Sequence, residues 1–153
     1  LAIWADGWLT YLLAALVLLL LLGKPFIFRY PSGMAEAEFV LMLCHPAVQG
    51  VRNWLGSVGN KQERSVFVAG FLATSAWSMV VAGYFWRLQA NGLWLECFLA
   101  AVALGLAVLE VLGAALAGVF FCESFSELLL VFLGFCTALA GMALVYFLDT
   151  GWL

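Results

Sequence analysis

Glu110 is the residue whose type and position most suggest chemistry, because it interrupts the apolar run LAVLEVLGAALAG at residues 106–118. An ionisable side chain is costly in lipid, so such a residue marks a functional site by default. Either the carboxyl group relays protons or binds an ion, or it fixes helix packing by pairing with a neighbouring chain segment. Its predicted helix contains no His, Lys or Arg, and Glu96 lies near the membrane edge. This favours packing or pairing over a relay.

Arg52 is a candidate partner for Glu110. It follows His45 and Gln49 at helical steps of four and three residues, which place all three on one face of a helix. A second interpretation is that Arg52 anchors the end of its helix at the membrane surface, where long cationic side chains reach the headgroups. The sequence leaves both interpretations open.

His45 is the one histidine in the chain, so ligation of a haem by two histidines of this chain is excluded. Pro46 follows it directly, and we expect the imidazole to bond a carbonyl freed at the resulting kink. We therefore expect no haem, pigment or metal cofactor, and bound lipid instead. The four cysteines contain no CxxC pair and indicate neither a disulfide framework nor a thiolate metal site.

Sequence motifs of catalysis are absent. The chain has no Gly-rich phosphate loop, no nucleophile elbow and no His and Glu at metal-binding spacing. A net charge of −3 without a basic run argues against nucleic acid as a partner. We therefore expect a protein that is not an enzyme.

The composition places the chain in a membrane. Hydrophobic residues make up 67% of it, charged residues only 10%, and the mean hydropathy is +1.12. A soluble domain of about 150 residues keeps roughly a third of its unfolded surface exposed and cannot hide so much apolar area. The sequence predicts an integral membrane protein.

The hydrophobic segments predict an all-α, polytopic membrane bundle of four to five transmembrane helices in a single domain, residues 1–153. A helix needs about 20 apolar residues to cross the hydrocarbon core. Five segments qualify by length, at about residues 7–28, 35–55, 66–86, 93–121 and 128–148. The second is rich in polar residues, so it either spans the bilayer or lies along its surface. Basic residues are balanced between the two sides and predict no orientation.

Small residues recur at helical spacing on the last three segments. Such faces let helix backbones approach closely and replace the hydrophobic drive that is missing in lipid. We expect these residues, together with Glu110 and Arg52, to form helix-packing or partner contacts. The small residues are Gly70, Thr74 and Ser78, then Gly113 with Ala117 and Ala114 with Gly118, and Gly134 with Ala138.

The stretch GSVGNKQERS, residues 56–65, is the longest polar stretch of the chain. Gly and Asn are turn formers between hydrophobic runs. The stretch therefore predicts a water-facing polar hairpin between the second and third spans. Its named residues are Gly56, Gly59, Asn60, Lys61 and Arg64.

Several motifs occur in an order that resembles a known family. They are GW at residues 7–8, KPFIFRYP at 24–31, EFVLML at 38–43, VRNWLGSVGNKQER at 51–64 and LEVLGAALAG at 109–118. This plan is similar to the small tetraspan family of the ciliary transition zone, of the transmembrane protein 17, 80 and 216 type. The family pattern falls on Arg52, Gly56, Gly59, Asn60, Arg64 and residues 110–112. The resemblance covers residues 7–121, whereas the segment 128–148 lies beyond the four spans of the family.

The resemblance implies a non-enzymatic scaffold or assembly subunit of the tectonic-like complex at the base of the cilium. Members of the family help to form a diffusion barrier and to gate the entry of membrane proteins. Its partners would be lipids and other integral membrane proteins.

Two other functions fit the same composition. Small apolar chains with packing faces also serve as accessory structural subunits of energy-converting complexes in mitochondrial inner or thylakoid membranes. A transporter or channel that uses Glu110 is a third possibility, although the sequence contains no broken-helix pair or internal repeat.

Overall fold

The computed structural model describes residues 2–27, 33–89 and 92–150, and every regular element in these ranges is helical. The predicted all-α bundle is confirmed. The predicted end of the first span at Phe28 lies outside the described residues. The helices are α1 Ala2–Ile27, α2 Met34–Gln62, α3 Ser65–Gly83 with one further π-helical turn Tyr84–Leu88, α4 Trp94–Phe121 and α5 Phe125–Thr150.

Helix α3 lies at the centre of the bundle, where it packs on α2, α4 and α5, while α1 covers α2 and α4. Two residues, Glu63 and Arg64, join α2 to α3. Such short connections place consecutive helices antiparallel. Gly134 of α5 lies against Ala69 of α3 and Gly141 lies against Ala76, so α3 and α5 run in the same direction.

The seam between α3 and α5 is built from small residues. Val131, Gly134, Ala138, Gly141 and Val145 are buried on α5 at alternating steps of three and four residues. A Cβ added at Gly134 would lie 2.7 Å from the backbone oxygen of Ala69. The two backbones are thus in direct contact, as close helix packing in lipid requires.

Among the described residues, three helices are long and apolar enough to cross a bilayer by length and composition: residues 65–88, 94–121 and 125–150. The described apolar stretch of α1, Gly7–Leu20, is shorter. Helix α2 contains 29 residues, so it is long enough, but it is too polar to qualify by composition. Whether α2 spans the bilayer or lies along its surface therefore depends on which side of the helix its polar residues face.

Helix α2 has its polar side inside and its apolar side outside. Glu38, His45, Gln49 and Arg52 are at most 3% exposed. The outward side includes Val40, Leu43, Val51 and Trp54, each more than half exposed. This arrangement suits a helix with lipid outside the bundle, because lipid favours apolar side chains and polar ones must find partners within. We therefore expect α2 to cross the bilayer.

A labelling experiment tests this expectation. Positions 36 and 61 are 25 residues apart on α2, which corresponds to about 38 Å of helix. In a variant without native cysteines, Glu36→Cys and Lys61→Cys should react with a membrane-impermeant maleimide from opposite sides of sealed vesicles. Val51→Cys, placed between them on the outer face, should remain unlabelled. Labelling of positions 36 and 61 from the same side would mean that α2 lies along the surface.

The predicted polar hairpin at residues 56–65 is wrong in extent. Helix α2 continues to Gln62, and the turn is confined to Glu63, whose φ is 51°, and Arg64. Gly56 and Gly59 are buried in the helix, and a Cβ on Gly59 would lie 3.2 Å from the backbone nitrogen of Val68. Gly59 serves the close approach of α2 and α3, and neither glycine forms a turn.

Candidate functional site

Arg52 and Glu110 form an ion pair in the interior of the bundle. The guanidinium Nη2 donates to Oε2 of Glu110 at 2.6 Å, and the two side chains are 0% and 2% exposed. This charge-assisted bond joins α2 to α4, whose backbones otherwise make little contact. Of the two interpretations left open for Arg52, pairing with Glu110 is the one that the structure shows.

Helix α3 supplies further contacts to the guanidinium group. Arg52 Nε donates to Ser75 Oγ at 2.9 Å, and Ser75 in turn donates to the carbonyl oxygen of Phe71 at 2.7 Å. The guanidinium carbon lies 4.6 Å from the centre of the Phe71 ring, within reach of a cation–π interaction. Arg52 therefore connects three helices at one point.

Amide and hydroxyl groups extend this network along α2. Ser78 donates to Gln49 Oε1 at 2.7 Å, and Gln49 Nε2 donates to Asn53 Oδ1 at 3.4 Å. Farther along the helix, the Tyr84 hydroxyl donates to Glu38 Oε1 at 3.1 Å. Hydrogen bonds of this kind link transmembrane helices without hydrophobic drive.

His45 lies on the same buried side of α2 as Gln49 and Arg52 and is 3% exposed. Its Nδ1 has no hydrogen-bond partner among the described residues, and α2 continues as a helix through Pro46. The predicted bond to a freed carbonyl is therefore not made through Nδ1. Among the described residues, no three His, Cys, Asp or Glu side chains are grouped to hold a metal ion.

The small residues predicted as packing faces fall into two groups. Gly134 and Ala138 are buried and form part of the α3–α5 seam, and Gly118 is buried where an added Cβ would lie 2.8 Å from Val131 Cγ1. Ser78 uses its hydroxyl group on Gln49, and that of Thr74 bonds back to the carbonyl oxygen of Gly70 at 2.9 Å. Gly118, Gly134, Ala138 and Ser78 therefore join helices of this chain, whereas the Thr74 hydroxyl is satisfied within α3.

Gly113 behaves differently. A Cβ built there meets nothing within 4 Å in the described part of the chain. Gly113, Ala114 and Ala117 line a groove of about 300 Å³ between α2 and α4, with Glu110 at its inner wall. Gly56 and Asn60 form its α2 side, and Val68 and Phe71 of α3 also line it. Three of the small residues predicted for packing therefore border an open groove.

Two residues with important contacts were not identified from the sequence. Ser75 hydrogen-bonds Arg52, and Gly141 places α5 against α3, where an added Cβ would lie 2.8 Å from Ala76 O. The signal for Gly141 was available, since Gly134, Ala138 and Gly141 continue one heptad-like spacing. Ser75 has no comparable signal, because Ser is common in membrane helices.

The arrangement is suited to holding helices at fixed positions. The carboxylate of Glu110 is engaged by a guanidinium group that is itself fixed by Ser75 and Phe71. Glu96 caps the start of α4, where its Oε2 accepts a hydrogen bond from the backbone of Leu93 at 3.1 Å. Both acidic residues of α4 thus have structural partners.

The family model Transmemb_17, described as a predicted membrane protein, matches residues 1–107. The match includes α1, α2, α3 and the first half of α4, and it ends three residues before Glu110. No solved structure matches the chain.

Proposed function

This chain belongs to the Transmemb_17 family of predicted membrane proteins, and on that premise we propose that it is a non-enzymatic scaffold that holds other integral membrane proteins in a complex. The sequence resemblance supports a more specific assignment. In that assignment the complex is the tectonic-like complex of the ciliary transition zone, and the membrane is that of the ciliary base.

The observation that carries this proposal is the groove between α2 and α4. Gly134 and Gly118 are already covered by neighbouring helices of this chain, whereas Gly113 is open on the outer side of α4. Gly113 and Ala117 are spaced at i and i+4, the pattern by which one transmembrane helix seats another. The occupant that we propose is therefore a transmembrane helix of a partner protein.

The ion pair supports a structural role over transport. A relay or ion-binding site needs a carboxylate that exchanges partners, whereas Glu110 is held at 2.6 Å by Arg52. Buried pairs of this kind are best known for specifying one arrangement of helices. In this proposal Arg52 and Glu110 fix the separation of α2 and α4, and so the width of the groove.

Purification from native membranes in a gentle detergent, followed by mass spectrometry of the co-purifying proteins, tests the function. Tectonic-like and other ciliary-gate membrane proteins are the expected result. Respiratory or photosynthetic subunits would contradict the ciliary assignment and favour an accessory subunit of an energy-converting complex. Recovery of the chain without any membrane protein would contradict the scaffold function itself.

Gly113→Leu should remove the partner proteins while the chain remains folded. A Cβ added at Gly113 meets nothing within 4 Å among the described residues, and the rest of the leucine side chain would enter the groove. Gly105→Leu is the matched control, because Gly105 is equally open and does not line the groove. We expect co-purification to fall at least about tenfold in Gly113→Leu, as a loss of about 1.4 kcal/mol implies. Equal recovery from both variants would rule out the groove as the contact.

A further inference from the structure

The helix ends of α1 and α2 enclose a second recess, which is distinct from the partner groove in its chemistry. We call it the α1–α2 recess; it has a volume of about 540 Å³. Helix α1 contributes aromatic side chains to it, and helix α2 contributes polar ones. Its main lining residues are Trp4, Trp8, Tyr11, Ser57, Asn60 and Lys61.

The aromatic side places the recess at a bilayer surface. Trp4 and Trp8 are 70% and 63% exposed and meet edge to face, with ring centres 6.1 Å apart. Indole rings collect at the level of the lipid headgroups, where an apolar body and a polar N–H are both accommodated. They stand near the first residue of α1, opposite the last turn of α2, which contains Lys61.

The polar side chains that α2 contributes to the recess lie at successive depths along the helix. Lys61 lies in the last turn of α2, Ser57 lies one turn further in, and Asn53 another turn beyond that. From Lys61 to Asn53 the helix rises about 12 Å. Over this distance a phospholipid passes from its phosphate through the glycerol esters to the start of the acyl chains, which needs a cation outside and hydrogen-bond donors further in.

Asn53 is positioned for the inner part of this order. Its Oδ1 accepts a hydrogen bond from Gln49 Nε2 at 3.4 Å, and its Nδ2 lies on the α1 side, where a Cβ added to Gly7 would be only 2.7 Å away. The amide nitrogen of Asn53 therefore lies against α1 at Gly7, in the wall of the recess. Glycine at position 7 leaves the space that this orientation needs.

We propose that the α1–α2 recess binds the headgroup of an anionic phospholipid, with the phosphate at Lys61 and the ester region at Ser57 and Asn53. The described lining contains a cation and no carboxylate, so its charge complements a phosphate and offers no ion pair to an ammonium group. Basic side chains at the membrane surface attract anionic lipids in this way. The site does not depend on the proposed scaffold function.

Native mass spectrometry of the purified full chain tests the site, with palmitoyl-oleoyl phosphatidylglycerol and the corresponding phosphatidylcholine titrated separately. We expect the unmodified protein to retain phosphatidylglycerol about fivefold more tightly, the factor for one lysine at an anionic surface. Lys61→Gln should abolish this preference, and Lys61→Arg should keep it. Arg64→Gln, which removes a cation outside the recess, is the matched control and should leave it unchanged.

Three outcomes would overturn the proposal. Equal or tighter retention of phosphatidylcholine would assign the indoles to a choline group instead. Equal losses in Lys61→Gln and Arg64→Gln would reduce the effect to general surface charge. Binding of soluble glycerol 3-phosphate as tight as that of phosphatidylglycerol would identify a water-borne phosphate ligand.

Gly7→Val, whose side chain would displace Asn53, should weaken retention of phosphatidylglycerol even with Lys61 in place.

Discussion

Replacing Arg52 with methionine is expected to lower the free energy of unfolding by about 3–5 kcal/mol, because the substitution leaves the Glu110 carboxylate buried without its cation. The two side chains are almost completely buried and are joined at 2.6 Å. Arg52 also holds Ser75 on α3, so the substitution weakens contacts among three helices. The measurement is helix loss, followed by circular dichroism, as the purified protein is titrated with SDS in mixed micelles.

The double variant Arg52→Met with Glu110→Leu provides the decisive comparison. Apolar replacement of a whole buried ion pair is often neutral or stabilising, so we expect it to recover most of the stability lost in either single variant. Lys61→Met is the control, since it removes a basic residue of the same helix that is exposed. If Arg52→Met were no more harmful than Lys61→Met, the pair would contribute nothing to stability.

The second large effect is expected in the α3–α5 seam. Gly134→Leu and Gly141→Leu should each destabilise the bundle by about 1–3 kcal/mol or more, the range for overpacked interiors. An added Cβ would lie 2.7 Å from the backbone oxygen of Ala69 at position 134 and 2.8 Å from that of Ala76 at position 141. Backbone atoms cannot rotate away as a side chain does, so α3 and α5 must separate. The same SDS titration measures the loss.

Gly105→Leu is the matched control for the seam, because it makes the same chemical change on α4 where an added Cβ meets no described residue within 4 Å. We expect it to leave the unfolding transition within about 0.5 kcal/mol of the unmodified protein, as for other surface substitutions. Comparable destabilisation by Gly105→Leu and Gly134→Leu would show that loss of glycine itself, rather than close contact, is responsible.

The α3–α5 seam and the polar network around Arg52 stabilise different pairs of helices. The α3–α5 seam holds a pair of apolar helices by backbone contact, and the polar network holds α2 and α4 by hydrogen bonds and charge. In lipid, apolar side chains gain little by moving inward, so packing and polar bonds take the place of a hydrophobic core. The groove between α2 and α4 lies where neither the backbone contacts of the seam nor the polar network brings helices together.

Much of the architecture follows from the sequence itself. Composition determines that the solvent is lipid, and lipid permits helices because backbone groups must bond internally. The apolar runs locate α3, α4 and α5 to within a few residues of their observed bounds. The motifs around Arg52 indicated the family, and the match over residues 1–107 confirms it. Each of these properties depends on local composition and order, which the chain carries without reference to its neighbours.

Tertiary structure alone decided what the individual residues do. Helical spacing placed His45, Gln49 and Arg52 on one face, but only the packing of α2 against α3 and α4 brings Arg52 to Glu110, 58 positions away. Glycine supports both a turn and a close helix contact, so Gly59 indicated a hairpin, whereas its nearness to Val68 shows that it serves helix packing. Likewise, Gly113 and Gly134 have the same small-residue spacing, and one borders an open groove while the other is covered by α3. A one-dimensional pattern specifies the face of a helix, whereas the neighbour on that face is determined by how the helices assemble.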